Sequence, residues 1–552
     1  MPTVECSLSD LRSLLGREIE EKGLEEIVLY IKGELESLNG DEVKLDIKDT
    51  NRPDLWSVEG IARELRRHLG DPAGLTKFSV EPSGIALKID SKVEKVRPKA
   101  LGAVVKDVAL SDYSLKQLIQ LQEKIHLTYG RNRREVAIGV YDYDKLAPPI
   151  RYTTVEPGGL KFIPLDFDEE MTPREILQRH PKGIEYGPLI NRYPEYPLMI
   201  DSADNVLSIP PIINSSYTGK VTVDTENLFI ELTGMEVKRL SIALNVLVAA
   251  LAERGGWIQS VEVIYPKERI VTPDLSPKKF RVNTDYARRT LGLDLKEDEM
   301  TSLLAKAGYM AAKADGEILL EYPAYRNDIL HERDVIEDIA IAYGLNNITP
   351  HPPRLPTIGG IDPLEDFSET LRELVVGLGY QEILTFSLTN KEALFDKMLL
   401  KKADVCEIAN PVSANWSAMR NWLMPSLLEF LTYNQHVEYP QRIFEVGDVV
   451  KPDAKAETRA MNVRKLACVL SDVKAGYEDM SSALDAILSN LGVEFKLNAA
   501  EHPSFISGRT AKILLKNKNI GFIGEVNPEV LNNWGLSMPT TGFEIDVIPL
   551  FS

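Results

Sequence analysis

Apolar residues recur with a helical period most plainly over residues 325–343, YRNDILHERDVIEDIAIAY. At ~100° per residue, Ile329, Ile336, Ile339, Ala340 and Tyr343 share one face. Asp328 stands where an N-cap would, with a carboxylate suited to the free backbone N–H groups and the positive end of a helix. Asp334, Glu337 and Asp338 fall on roughly the opposite face at i, i+3 and i, i+4 spacing, while Glu332 points away from them. Like charges so placed destabilise a helix by ~0.2–0.5 kcal/mol per pair unless something positive sits among them. A hard cation such as Mg²⁺, which takes oxygen ligands from a few carboxylates and water, is one solution; an ordinary solvated acidic face is the other.

The same reading divides the chain into four units of α+β character. Residues 1–92 predict a small α+β domain. Ser7 or Ser9 caps a first helix through Leu15, 25–36 alternates like a strand, and Asn39-Gly40 marks a hairpin into 42–47. The turn Asn51-Arg52-Pro53-Asp54 leads to a helix from Ser57 to Gly70, whose Arg63, Arg66 and Arg67 form a basic face for solvent or RNA. Residues 93–265 predict strands at 100–108 and 136–141, a helix at 113–127 and an apolar helix at 240–254. Between them lie the basic loop 131–134, for solvent or phosphate, and a proline-rich stretch. A strand at 227–233, NLFIELT, carries Glu231 and Thr233 on the face opposite Leu232.

Residues 268–348 read strand 279–282, helices 284–291 and 296–307, strand 318–322 and the 325–343 helix. That order suits a winged or helix-turn-helix-like module. A proline-rich linker, 349–363, precedes the last unit, 364–552. Helix 365–378, a helix from Pro425 to Asn434, and strands at 382–387, 405–409, 442–446, 512–516, 520–526 and 542–547 predict an antiparallel sheet backed by helices.

Composition narrows the function. The chain has 552 residues, and a formal net charge of −19 argues against gripping nucleic acid through a broad basic surface. Its three cysteines, Cys6, Cys406 and Cys468, are far apart and form no CxxC. That fits a reducing cytoplasm and no disulfide or zinc framework. No apolar run is long enough to span a bilayer, and the N-terminus has no signal-like core.

Four segments in one order carry a resemblance: NRPDLWSVEGIAREL; IPPIINS with NLFIELTG; YRNDILHERDVIEDIAIAYG; and NPVSANWSAMRNWLMPSLLEFLTYN followed by RIFEVGDVV. Together they resemble the β subunit of phenylalanyl-tRNA synthetase in its archaeal and eukaryotic-type short form, over essentially the whole chain. The resemblance implies an α2β2 cytoplasmic assembly that charges tRNA(Phe) with ATP and Mg²⁺, with the synthetic site in the α subunit. It implies an editing domain at 93–265, a Mg²⁺-binding module at 268–348 whose ligands match Asp328, Asp334, Glu337 and Asp338, and a non-catalytic class II core at 364–552. A working class II core needs an arginine to neutralise ATP phosphates. Here Thr541-Gly542-Phe543-Glu544-Ile545 puts an isoleucine at that place, and Arg420 lies in a segment that reads as packing.

Editing must accept tyrosine and reject phenylalanine, a difference of one hydroxyl. A buried polar group aimed at that hydroxyl discriminates strongly where an apolar pocket does not. Glu231, a carboxylate in an apolar strand beside Thr233, is the candidate, with Ser208 and Asn214 flanking Pro210-Pro211 to place ester and ribose. Three readings follow: a non-synthetic editing and scaffolding subunit, a free-standing aminoacyl-tRNA hydrolase, and a metal-binding scaffold without chemistry.

Overall fold

A computed structural model describes residues 3–70 and 74–551, which fall into two compact units, Met1–His351 and Pro352–Ser552. The first unit holds three sheets. Thr3–Ser7, Gly33–Asn39 and Glu42–Ile47 form the smallest, in which Asn39 pairs with Glu42 around Gly40 at φ 63°. Ser7 is the N-cap of helix Leu8–Leu15 and accepts from the Asp10 amide. Residues 25–36 are not one strand. Glu21–Ile27 is helical and Val28–Ile31 a 3₁₀ turn, because Leu24, Ile27, Val28 and Ile31 bury on a shared helical side.

The second sheet has ten strands and reaches from Val80–Ile89 to Arg269–Thr272, past both ends of the predicted 93–265 segment. Its strand Leu228–Gly234 lies between Lys99–Lys106 and the sheet-edge strand Val136–Asp142. Leu228, Ile230 and Leu232 face a core shared with helix Val237–Glu253, while Phe229, Glu231 and Thr233 alternate to the other side. The third sheet is Lys278–Asn283, Glu317–Tyr322 and Met310–Ala314, packed with helices Thr284–Leu291, Glu297–Lys306 and Glu332–Tyr343.

Helix Glu332–Tyr343 starts later than its pattern predicts. His331 is its N-cap, and Asp334 reaches back to accept from the Leu330 and His331 amides at 2.8 and 2.6 Å. The reciprocal cap places the first turn after Asp328, which has another occupation described below.

The second unit is a seven-stranded sheet, antiparallel except where Gln381–Glu382 runs parallel to Gln441–Pro452. Helices Pro363–Gly377 and Tyr477–Asn490 pack on one face, and Met424–Tyr433 with Pro528–Asn533 on the other. Two predicted strands are corrected. Pairing at 382–387 stops after Glu382, and 405–409 makes a single bridge, Glu407 to Ala418. Leu384 and Phe386 lie outside any sheet and are largely exposed.

Candidate functional site

A cavity of about 760 Å³ runs along the edge strand Val136–Asp142. Glu231, Ser208 and Asn214 all line it; Thr233 does not. Local structure explains the grouping. Val206–Ile209 and Ile213–Asn214 form a hairpin about Pro210-Pro211 in which Ser208 and Asn214 are cross-strand partners. Their side chains therefore share one face. Glu231 sits in register with Gly102 on one neighbouring strand and Gly139 on the other, so neither directly paired residue puts a side chain against the carboxylate. A Cβ at Gly139 would lie 2.3 Å from the Tyr141 hydroxyl and 2.7 Å from Glu231 Oε1, a space that only glycine leaves open. Thr233, two residues on, accepts from Arg97 Nε at 2.9 Å.

The electrostatics of the carboxylate are unusual. Glu231 is 2% exposed, its Oε1 accepts from the Tyr141 hydroxyl at 3.0 Å, and its Oε2 is buried with no hydrogen-bond partner. Burial raises its pKa from the usual carboxylate range to about 7, the Tyr141 hydrogen bond and the Arg97 charge opposing only part of that rise.

Several lining residues escape sequence reasoning. Gln122, Glu123 and His126 come from helix Asp112–Leu127. His126 Nε2 accepts from the Ile138 amide at 2.8 Å, which leaves Nδ1 to donate to Glu123 at 3.1 Å. Burial lowers the His126 pKa, so the ring is neutral. Arg133 is buried; it meets Glu123 at 3.0 Å and donates to the Pro211 and Ile212 carbonyls. Burial pushes Glu123 up, but the His126 hydrogen bond and the Arg133 charge outweigh it and hold the carboxyl below its ordinary range. Within the loop 131–134, Arg133 thus braces the proline turn, while Arg131 and Arg134 stay exposed. The Glu-x-x-His spacing on an amphipathic helix is the available signal, and alone it does not separate a cavity wall from a solvated face.

Four carboxylates of the 325–343 segment, Asp328, Asp334, Glu337 and Asp338, are engaged by groups of the protein itself. Arg326, buried, donates through Nε to Asp328 at 2.7 Å and through Nη2 to Asp338 at 2.8 Å. Asp338 also accepts from the buried Tyr309 hydroxyl at 2.6 Å. Asp334 caps the helix, and Glu337 pairs at 2.9 Å with Lys32, which also holds Asp49. Among the described residues no three His, Cys, Asp or Glu side chains gather round a common point. As arranged, this donor set does not fit a shared hard cation.

The network continues into helix Val58–His68. Arg52 pairs with Asp54 and Glu64, and Arg67 with Glu64 at 3.1 Å; the Arg63 guanidinium stacks 4.4 Å over Tyr325. The predicted basic face is therefore only partly solvated: Arg63 and Arg67 are buried in ion pairs. Burial would raise Glu64 and Asp328, but the surrounding arginines hold both near about 2.

In the second unit, Arg420 spends its whole guanidinium internally, on Glu445, Thr385 and the Asp448 carbonyl. Ile545 is fully buried, and Glu544 beside it accepts from the Leu423 and Met424 amides. Nothing in this group is free for a phosphate.

Three family profiles match successive parts of the chain: a B3/4 domain over 88–255, a tRNA synthetase B5 domain over 280–345, and a phenylalanyl-tRNA synthetase β-chain CLM domain over 348–547. The chain is 50% identical to the phenylalanine–tRNA ligase β subunit of Pyrococcus abyssi and 49% to that of Pyrococcus furiosus, with each alignment covering all of both chains. A crystal structure of an N-terminal fragment of the phenylalanyl-tRNA synthetase β subunit from Pyrococcus horikoshii is 51% identical. It superposes with a TM-score of 0.61 and covers 62% of this chain and all of that one.

Proposed function

Because this chain belongs to the family of phenylalanine–tRNA ligase β subunits, we propose that its Glu231 cavity removes tyrosine from mischarged tRNA(Phe) while the second unit pairs with an α subunit. One observation carries the editing reading: Glu231 Oε2 is a buried acceptor with no partner, on a residue lining a cavity of about 760 Å³. An unmet buried acceptor costs roughly 1–3 kcal/mol. A tyrosine hydroxyl that donates to it recovers that cost and phenylalanine does not, so the two aminoacyl groups separate by their ability to donate. Ser208 and Asn214, on the neighbouring hairpin, supply polar atoms for the ester and ribose. Water performs the hydrolysis, assisted by the tRNA's own terminal hydroxyl.

The α-subunit reading draws support from apolar surface. Leu384 and Phe386, two residues apart, and Val412 are 89%, 76% and 105% exposed, apolar side chains that a partner subunit would cover. ATP and Mg²⁺ serve ligation by the whole complex.

The test is deacylation by the αβ complex. Tyr-tRNA(Phe) should be hydrolysed at least about tenfold faster than Phe-tRNA(Phe), the low end for discrimination by one hydrogen bond. Equal rates would remove editing from this cavity. The purified chain alone should show no phenylalanine-dependent pyrophosphate exchange, because Arg420 is already paired and residue 545 is an isoleucine. Measurable exchange would contradict a non-synthetic second unit.

A further inference from the structure

Tyr141 does not line the cavity, yet three of the cavity's polar groups converge on it. Its buried hydroxyl lies 2.8 Å from Ser208 Oγ, 3.0 Å from Glu231 Oε1 and 3.4 Å from Asn214 Oδ1. The ring is fully buried and tilted against Phe229 at 6.0 Å between centroids. Val136–Asp142, which carries Tyr141, pairs directly with the strand of Glu231.

We propose that Tyr141 is the positioning residue of this site: it grips Glu231 by Oε1 and so reserves Oε2 for a donor on the ligand. This rests on the editing reading above. A phenol has one proton to give. When Glu231 is ionised, Tyr141 donates to Oε1 and accepts from the Ser208 hydroxyl. When Glu231 is protonated, the carboxyl donates to the Tyr141 oxygen, which then donates to Ser208. The three groups thus reorient as one chain with the charge on Glu231. Asn214 Oδ1 accepts only, at 3.4 Å, so it competes weakly for the phenol's proton and cannot supply one, its Nδ2 being spent on the Val140 carbonyl at 3.3 Å. Gly139 is part of the device, because any Cβ there would collide with both the phenol and Oε1.

Tyr141 acts through Glu231, on selectivity rather than on the fold. In the αβ complex, Tyr141→Phe should lower kcat/KM for Tyr-tRNA(Phe) deacylation about tenfold, the scale of one hydrogen bond to a charged group. Phe-tRNA(Phe) deacylation should stay within about twofold, since phenylalanine makes no use of Oε2. Removing the phenol also removes a contact that favours the ionised carboxylate, so the pH midpoint of Tyr-tRNA(Phe) deacylation should move upward. In a Glu231→Gln background, Tyr141→Phe should add little, because its target is already changed. Calorimetric titration of the full chain with free L-tyrosine and L-phenylalanine gives a second reading without tRNA: the preference for tyrosine should shrink in Tyr141→Phe.

Equal loss on both substrates, an unmoved pH midpoint, or additive effects with Glu231→Gln would make Tyr141 a packing residue and overturn the proposal. A wild-type complex that does not prefer Tyr-tRNA(Phe) would overturn the underlying editing reading instead, before any variant is made.

Discussion

Replacing Asp328 or Asp338 by alanine should destabilise the chain by about 3–5 kcal/mol each, the cost of leaving a buried ion without its partner. Arg326 is buried and has these two carboxylates for neighbours, and Arg52 lies 3.9 Å from Asp328. With Asp328 gone, two guanidiniums face each other across a dry space. The other two acids should behave differently. Asp334→Ala loses a helix cap, about 1 kcal/mol. Glu337→Ala loses an ion pair whose carboxylate is 57% exposed, about 0–1 kcal/mol. Denaturant unfolding of the four variants gives the ranking directly. A reversed order, with Asp334 and Glu337 dominant and the effect dependent on added Mg²⁺, would show that the acids serve a cation after all. Acid has the same target. Asp328 and Glu64 are held near about 2, so their contribution is complete above the ordinary carboxylate pKa and fades as pH falls from about 4 towards 2.

Glu231 should give the opposite pH dependence. Its folded pKa is raised from 4.5 to about 7, so between those values the native state holds a proton that the unfolded chain has lost. Stability attributable to this group therefore falls as pH rises through that window, by about 3 kcal/mol in all. Glu231→Gln removes the titration. The variant should gain on the wild type between pH 4.5 and 7 and hold that gain above pH 7. Unfolding midpoints for both proteins across this range decide it. A stability difference that stays flat with pH would mean that the carboxylate titrates like an exposed one. This stability deficit at neutral pH is also the driving force available to a donor that satisfies the ionised group.

How much was legible follows from how far apart the partners lie. The Ser7 cap, the Asn39-Gly40 hairpin and helix Thr284–Leu291 are set by residues within a few positions, and the sequence displays them. Glu231 stood out because a carboxylate in an apolar strand is an anomaly. Tyr141 did not, because a tyrosine in VAIGVYD is ordinary; its role depends on Ser208 and Glu231, brought together by a hairpin and a strand pairing. Arg63 and Arg67 read as surface residues for the same reason. Their partners include Glu253 and Tyr325, far along the chain. Asp328 was a plausible cap on local grounds, and lost that role because His331 and Asp334 make a better one while Arg326 claims its carboxylate. Residues 405–409 had strand-like composition but no continuous partner strand.

The buried ion network has a consequence for how this sequence can change over generations. Arg52, Glu64 and Arg67 in one segment, and Arg326, Asp328 and Asp338 in another, hold their charges in a space where none tolerates being alone. The close ion pairs lie within each segment, and Arg52 approaches Asp328 at 3.9 Å across the two, so a single charge lost from either leaves a buried partner unpaired. Both segments overlap stretches that carry the family resemblance, and a lone charge change in either is expected to cost the fold before it touches any function.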